Sequence, residues 1–234
     1  MNVTLRPWTP GDAKTYMGMM GHVDFTYEDA TLWPDDYRQA VRCLEDMEKA
    51  ASYNGDFYHA VLLDGAVVGH VQVVRQEGVW SVDGHVGCLI VCEATGQGVG
   101  TEAVRQMVEM AFTRRDYNRL TAIVYQPNRA SARVVEKLGF FLEATLRRAV
   151  TNGDGVYYDA LVYGILRHDI GIPTTQCCNP EDELTPEEQL ALEPTLAPLQ
   201  SDLWIPINLD RFQQKDGPPK KTVRVIGFRT KSTL

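Results

Sequence analysis

The sequence VCEATGQGVGTEAVRQMVEM, residues 91–110, joins the end of an apolar strand pattern to a helical pattern through a glycine-rich turn. Glycines at positions 96, 98 and 100 let the backbone bend tightly and bring its N–H groups close to a ligand. We expect the helix to open at Thr101, where unpaired amides and the positive end of the helix dipole favour an anion such as a diphosphate. A plain strand-to-helix connection has the same spacing, so the turn alone is weak evidence.

The chain has 234 residues, a formal net charge of −8 and five cysteines. This length suits one domain with an appendage or two small domains. The acidic balance argues against nonspecific nucleic-acid binding, but it permits a cationic amine as substrate. We expect a cytoplasmic protein with no membrane partner, because long apolar runs and a signal-peptide layout are absent from the sequence. Neither a CxxC motif nor a His-rich cluster is present, so we predict no metal site.

The order of the sequence patterns indicates a mixed α+β fold. Strand patterns cover residues 3–7, 57–63, 66–74, 80–91, 120–125, 140–150 and 156–166. Helical patterns cover residues 34–52, 101–116 and 129–138, and a further helix follows the turn at residues 9–12. Asp64-Gly65 is typical of a type I′ hairpin turn. Asn128 is a predicted N-cap, and Gly139 is a predicted C-cap. An antiparallel meander therefore precedes a strand, helix, strand, helix and closing hairpin.

The irregular segment GHVDFTYEDATLW, residues 21–33, is rich in aromatic and acidic residues. Its aromatic side chains Phe25, Tyr27 and Trp33 either line a substrate cleft or pack beneath the loop. The sequence leaves both interpretations open.

The composition changes near residue 172. Eight of the twelve prolines follow it, six acidic residues without a basic one lie in residues 181–193, and residues 211–231 are mostly basic. We expect residues 172–234 to form an extension that is partly docked or disordered. The apolar segments at residues 203–207 and 222–228 suit docking onto the same domain or onto a second subunit, which allows a homodimer that involves the extension.

Two motifs together resemble a known family. GQGVGTEA at residues 96–103, followed by NRASARVVEKLGF at residues 128–140, is similar to the GNAT superfamily of acetyl-CoA-dependent N-acetyltransferases. The Asn-x-x-Ser form of the second motif, LRP at residues 5–7 and YDALVY at residues 158–163 resemble the branch of ribosomal-protein N-terminal and small-amine acetyltransferases. The resemblance covers about residues 3–168. It implies a GNAT-like acetyltransferase domain at residues 1–171, with a central twisted mixed sheet of about six to seven strands and about four flanking helices.

The resemblance also implies where acetyl-CoA, the co-substrate, is bound. The pyrophosphate would lie on the amides of the glycine turn, and the pantetheine arm would pair with the free groups of a strand that splays from its neighbour. The implied cofactor-binding residues are Leu89, Ile90, Val91, Thr95, Gly96, Gln97, Gly98, Val99, Gly100, Thr101, Asn128 and Ser131. Thr95 departs from the Arg or Gln usual at the start of this loop, so we expect a hydroxyl instead of a charge to meet the phosphate.

Three residues are candidates for the chemistry. Many family members have a tyrosine that protonates the leaving thiolate, but here its position is Val135. The resemblance to the serine-containing branch implies that Ser131 orients the sulfur or relays a proton instead; the alternative is that Ser131 is only a small residue in the first helical turn. The N–H of Ile90 is the candidate that stabilises the developing oxyanion. His85 has the most suitable unperturbed pKa for a base, with Asp83, Glu93 and a chain of waters as alternatives.

The leading hypothesis is an enzyme that transfers acetyl from acetyl-CoA to a primary amine, which belongs to a protein N-terminus, a polyamine or another small molecule. The alternative is a CoA-binding regulatory or scaffold module that retains the fold without turnover. A Rossmann-type dinucleotide binder is excluded, because no parallel βαβ unit with an acidic residue about 20 positions later follows the glycines.

Overall fold

The computed structural model describes residues 1–172 except residues 25, 28–32, 79–82, 116 and 153. These residues all fall in one compact unit, Met1–Thr175. The predictions for residues 173–234, including the docked extension and the homodimer through it, lie outside the described residues. Phe25 and Trp80 also lie outside them.

Seven strands and four helices occur in the described part of the chain. The strands are β1 (Val3–Pro7), β2 (Phe57–Leu63), β3 (Ala66–Arg75), β4 (Asp83–Ile90), β5 (Arg119–Tyr125), β6 (Phe141–Thr151) and β7 (Tyr157–Leu166). The helices are α1 (Ala13–Met20), α2 (Tyr37–Tyr53), α3 (Val99–Arg114) and α4 (Arg129–Lys137). The predicted mixed α+β fold is confirmed.

The strands form one mixed sheet in the order β1-β2-β3-β4-β5-β7-β6. The pairs between neighbours are antiparallel except for β4 and β5, which run parallel. A parallel pair requires a crossover connection, and α3 supplies it, so β4, α3 and β5 form a parallel βαβ unit that the sequence pattern did not predict. A short parallel ladder between β4 and β5 therefore joins strands β1–β4 to strands β5–β7.

The two faces of the sheet carry different helices. On the face that we call the α3 face, a Cβ at Gly100 of α3 would contact Ile90, and Tyr163 donates to Glu136 of α4 at 2.8 Å. On the opposite face, which we call the α1 face, Tyr16 of α1 packs against His70 of β3 with ring centroids 6.1 Å apart. Alternate residues of each strand therefore belong to different environments.

The turn between β2 and β3 has the predicted geometry. Asp64 has φ 48° and Gly65 has φ 89°. Positive φ at both central residues is the signature of a type I′ turn, whose twist matches that of the flanking strands. The hairpin signal in the sequence is confirmed.

Helix α2 begins three residues later than the periodicity suggested. The carboxylate of Asp36 accepts a hydrogen bond from the backbone N–H of Gln39 at 2.8 Å and so caps the helix before Tyr37. Tyr37, Ala40 and Leu44 recur at spacings of three and four, which predicts one apolar stripe along the helix. Ala40 and Leu44 are fully buried, whereas Tyr37 is 58% exposed. The buried part of the stripe therefore begins at Ala40, one turn into the helix.

Helix α3 begins at Val99, two residues before the predicted Thr101. Gly98 adopts φ 85° as the N-cap, and Gly96 adopts φ 73° in the preceding turn. Both values lie in the left-handed region that favours glycine. Gly100 is already helical, so two of the three glycines are required by backbone conformation.

Candidate active site

Strands β4 and β5 separate beside the glycine turn. Their parallel ladder contains the pairs Asp83–Arg119, Gly84–Leu120 and His85–Thr121, and it ends there. Beyond it, residues 86–90 of β4 remain paired with β3, and residues 122–125 of β5 remain paired with β7. A wedge-shaped gap therefore opens between the two strands, and it widens toward the turn at residues 95–98.

Two hydrogen bonds determine which backbone groups of β4 face this gap. The N–H of Val91 donates to Val68 at 2.9 Å, and the carbonyl of Asp83 accepts from Gln76 at 2.9 Å. Because neighbouring strand residues point their backbone groups to opposite sides, the odd-numbered residues of β4 face β3. Val86, Cys88 and Ile90 consequently direct their N–H and C=O groups into the gap.

This orientation corrects part of the expectation for the pantetheine arm. The N–H of Val91 is bonded to Val68, and its carbonyl accepts from Ala94 at 3.0 Å, so neither group is free. Leu89 has the same orientation as Val91 and faces β3. Of the three predicted strand residues, Ile90 alone faces the gap. Val86 and Cys88 were missed, although strand alternation counted back from Ile90 would have found them.

The β5 side of the gap follows the same rule. The N–H of Gln126 donates to Asp159 at 2.9 Å, and the carbonyl of Asn118 accepts from Arg167 at 3.0 Å, so even-numbered residues face β7. Ile123 therefore presents its backbone groups to the gap. Its side chain is 43% exposed in the middle of the sheet, because the neighbouring strand has moved away.

The glycine turn offers unpaired donors at one end of the gap. Among the residues that the structure describes, the backbone N–H groups of residues 96–101 have no hydrogen-bond partner. They lie at the N-terminus of the 16-residue helix α3, where the helix dipole adds positive potential. The side-chain amide of Gln97 donates to the Glu93 carbonyl at 2.8 Å and braces the turn. These groups fit the pyrophosphate of coenzyme A.

Thr95 does not have the role expected for it. Its hydroxyl donates to the carbonyl of Cys92 at 2.8 Å, and its N–H donates to the same carbonyl at 3.2 Å. Both donors are used inside the turn because Thr95 ends a short 3-10 segment at residues 92–94. A phosphate in the turn would thus meet backbone amides instead of a threonine hydroxyl.

The second motif forms the start of α4. The side-chain carbonyl of Asn128 accepts from the N–H of Ser131 at 3.1 Å, which confirms the predicted N-cap. This bond leaves the amide NH₂ of Asn128 and the hydroxyl of Ser131 without a partner in the described part of the chain. Val135 is buried and has no proton to donate. Asn128 can therefore cap the helix and contact a cofactor at once.

His85 occupies the point where the gap begins. Burial lowers the pKa of its imidazole, so the ring is neutral near pH 7 and can accept a proton. By strand alternation its side chain lies on the α1 face, together with that of Asp83. Gly84, between them, faces the opposite side, since a Cβ there would come within 2.8 Å of Tyr117 and Val73.

Asp83 is engaged in a polar network. Its carboxylate accepts from the Thr121 hydroxyl at 2.9 Å and lies 3.5 Å from the guanidinium of Arg119, which also pairs with Glu143. Burial raises the pKa of Asp83, whereas the hydrogen bond from Thr121 and the charge of Arg119 oppose that rise. These contacts make Asp83 a structural group and leave His85 as the less constrained base.

The aromatic residues of the segment at residues 21–33 divide between the two interpretations. Trp33 packs with Tyr16 and His70, with ring centroids 6.3 and 6.1 Å away, in the interior of the α1 face. Tyr27 instead contacts Tyr125 and Tyr158 at 6.1 and 6.0 Å. Tyr125 is the last residue of β5, so Tyr27 lies near the gap and Trp33 lies in the core.

The geometry defines an acyl-CoA-dependent transferase, and comparisons with known proteins agree. The family profile described as "Acetyltransferase (GNAT) domain" matches residues 2–141. The chain belongs to this family of acetyltransferases, whose co-substrate is acetyl-CoA. The predictions of an N-acetyltransferase and of acetyl-CoA are thereby confirmed.

Individual relatives agree with the family assignment. A probable N-acetyltransferase, YjcK of Bacillus subtilis, is 29% identical over 175 residues, which cover 71% of this chain and 95% of the relative. RimL, a ribosomal alpha-N-protein acetyltransferase solved with coenzyme A, has a TM-score of 0.63 at 14% identity and covers 71% of this chain and 94% of its own. A spermidine N-acetyltransferase SpeG chimera from Vibrio cholerae has a TM-score of 0.59 at 18% identity, with coverages of 71% and 96%. The two solved structures show the shared fold.

Two further features concern the described residues alone. No helix among them has the length and apolar character needed to cross a membrane. They also contain no group of three or more His, Cys, Asp or Glu side chains arranged to hold a metal ion.

Proposed function

We propose that this chain transfers the acetyl group of acetyl-CoA to a primary amine by direct attack of the amine on the thioester. The observation that carries the proposal is the gap between β4 and β5, which opens at His85 and ends at the unpaired amides of residues 96–101. An extended pantetheine arm in this gap would pair with Val86, Cys88 and Ile90 as an added strand does. The pyrophosphate would then lie on the glycine turn.

The chain's own residues suit the remaining chemistry. Bound acetyl-CoA supplies an activated acetyl thioester. The N–H of Ile90 faces the gap and is placed to stabilise negative charge that develops on the acetyl oxygen. The new C–N bond forms as the C–S bond breaks, so the amine must lose a proton and the thiolate must gain one. His85 accepts the amine proton directly or through water, and Ser131 orients the sulfur or relays a proton to it.

The acceptor is a primary amine of a protein N-terminus or of a small molecule. RimL acts on a ribosomal protein and SpeG acts on spermidine by their names, and both have this fold. The net charge of −8 is compatible with either kind of cationic amine. The amine would approach from the α1 face, where Ile123 is exposed and Tyr27 meets Tyr125.

The test is incubation of the full chain with acetyl-CoA and a panel of amines, with release of free thiol as the readout. The panel contains a peptide with a free N-terminus, spermidine and a free amino acid. We expect thiol release that depends on at least one amine and stops when that amine is N-acetylated beforehand. Measurable CoA binding without thiol release for any amine would identify the chain as a CoA-binding module and contradict the enzymatic proposal.

A further inference from the structure

Three polar side chains form a hydrogen-bonded series on the α1 face. The indole N–H of Trp8 donates to Nδ1 of His70 at 2.9 Å, and Nε2 of His70 lies 3.1 Å from Oε1 of Gln72. His70 is 1% exposed and lies among the rings of Trp8, Tyr16 and Tyr58. The series leads from the protein interior toward β4, since Gln72 pairs with Gly87 in the β3–β4 ladder.

The donor and acceptor chemistry of this series determines the orientation of Gln72. A tryptophan indole can only donate, so Nδ1 of His70 must accept. Burial lowers the pKa of His70 to about 4, which keeps the ring neutral with its single proton on Nε2. That proton requires an acceptor, and Oε1 of Gln72 is the atom that meets it. The NH₂ group of Gln72 consequently points away from His70.

The NH₂ group lies over the part of β4 that borders the gap. A Cβ at position 87 would come within 3.1 Å of Nε2 of Gln72, so the absence of a side chain at Gly87 gives the amide its place. Gly87 is in the stretch of β4 that has separated from β5. Within the described ranges, Nε2 of Gln72 has no hydrogen-bond partner, and the side chain is half-buried. Two N–H donors are thus held beside the gap, where the described residues offer them no hydrogen-bond acceptor.

We propose that Gln72 is an acceptor-binding residue that donates a hydrogen bond to a carbonyl or carboxylate oxygen beside the reacting amine. This inference deepens the proposed function and rests on it. The substrate class is an α-amino carbonyl compound, such as a peptide N-terminus or an amino acid. A polyamine carries only amine groups, which are cationic near pH 7, and it would leave both donors of Gln72 unpaired and partly desolvated. Trp8 and His70 are positioning residues, because they act by fixing the amide of Gln72.

The experiment compares two acceptors on wild-type protein and two variants. The acceptors are a peptide with a free N-terminal alanine and spermidine, each with acetyl-CoA. Gln72→Met keeps the side-chain length and removes the donors, so we expect kcat/KM for the peptide to fall about tenfold with little change for spermidine. Gln72→Glu still accepts from His70 but presents an oxygen in place of NH₂, so the preference of kcat/KM should move toward spermidine by roughly 100-fold.

A binding measurement separates this inference from the proposed function. Calorimetric titration of the same peptide into the CoA-saturated protein needs no turnover, and Gln72→Met should weaken peptide binding about tenfold while CoA binding stays unchanged. The melting temperature of this variant should fall by a few degrees, because Nε2 of the buried His70 loses its acceptor. Peptide binding that Gln72→Met weakens, without thiol release, would support the role of Gln72 and contradict the proposed enzyme. Thiol release with spermidine but not with the peptide, equal peptide binding in wild type and Gln72→Met, or no peptide binding at all would each overturn the inference.

Discussion

His85 and Thr121 form the last residue pair of the parallel β4–β5 ladder, and the two strands separate immediately beyond them. His85 therefore stands where the gap begins, on the face from which an amine would approach. Thr121 is bonded to Asp83, which leaves the imidazole as the group there that is able to accept a proton. The position of the proposed base thus follows from the point at which strand pairing ends.

Replacement of this base should slow the chemistry without loss of the cofactor. We expect His85→Gln to lower kcat about 100-fold, within the usual range for a general base, while CoA affinity is unchanged. The same change at His168, whose side chain is 64% exposed, is the matched control and should retain kcat. An unchanged kcat in His85→Gln would assign the proton transfer to water.

The pH dependence of the wild-type enzyme provides a second test of His85. Its pKa is lowered by burial, so the ring stays neutral down to pH values below the usual imidazole range. As pH falls through this lowered pKa, the base becomes protonated, and kcat/KM should fall. Protonation of the amine lowers kcat/KM with falling pH in both proteins, and protonation of His85 should add a second, steeper decrease below about pH 6.5 that is absent in His85→Gln. A second decrease that persists in the variant belongs to another group.

Cofactor affinity should depend on the conformation of Gly98. A valine at φ 85° is strained by at least 1–2 kcal/mol, and relief of the strain turns the adjacent amides away from the pyrophosphate. We expect Gly98→Val to weaken CoA at least about tenfold in a calorimetric titration. Gly65→Val is the control, because Gly65 has a similar φ of 89° in the turn between β2 and β3, outside the proposed site, and nothing lies within 4 Å of its Cβ. Equal CoA binding by Gly98→Val and wild type would show that the pyrophosphate lies elsewhere.

Two substitutions at Asn128 separate its capping role from contact with the cofactor. Asn128→Asp retains an oxygen to accept from the N–H of Ser131, whereas Asn128→Ala loses the cap and about 1 kcal/mol of stability. If the free NH₂ group contacts CoA, both variants should bind CoA more weakly, although only the alanine variant should have a lower free energy of unfolding. Wild-type CoA affinity in Asn128→Asp would limit Asn128 to a cap. Chemical denaturation and calorimetry measure the two quantities.

The absence of a side chain at Gly164 leaves room for the ion pair between Arg119 and Glu143. A Cβ at this position would clash with the carboxylate of Glu143 and with the guanidinium of Arg119. The two charged groups end flexible, partly exposed side chains that can move aside, so we expect Gly164→Ala to lower the free energy of unfolding by about 0.5–1 kcal/mol in chemical denaturation, through the displaced ion pair. Gly18→Ala in α1 is the control, because nothing lies within 4 Å of its Cβ and alanine favours a helix. Equal effects of the two substitutions would contradict a specific role for the space at Gly164.

Much of the fold was predictable because its signals are local. Each of these signals depends on a few consecutive residues: the glycines in turns, the Asp64-Gly65 hairpin turn, the Asn128 cap and the strand patterns. The structure agrees with them. The predictions failed where contacts with other residues determine the exposure or the hydrogen bonding of a side chain. Tyr37 follows the apolar spacing of α2, but its side chain is exposed. The hydroxyl of Thr95 donates to the carbonyl of Cys92, three residues earlier, and not to a ligand.

The sequence by itself determined the order of strands and helices, the anion-binding turn at residues 96–101 and, through its two motifs, the family. Tertiary structure alone decided which backbone groups of β4 are free, because that depends on where β5 departs and on the side to which each residue points. It also joined Trp8, His70 and Gln72, which are separated by up to 64 positions, into one hydrogen-bonded series. Long-range pairing of this kind leaves no local pattern in the sequence. The side of the gap near Gln72, where the amine substrate is proposed to bind, could therefore be identified only from the folded structure.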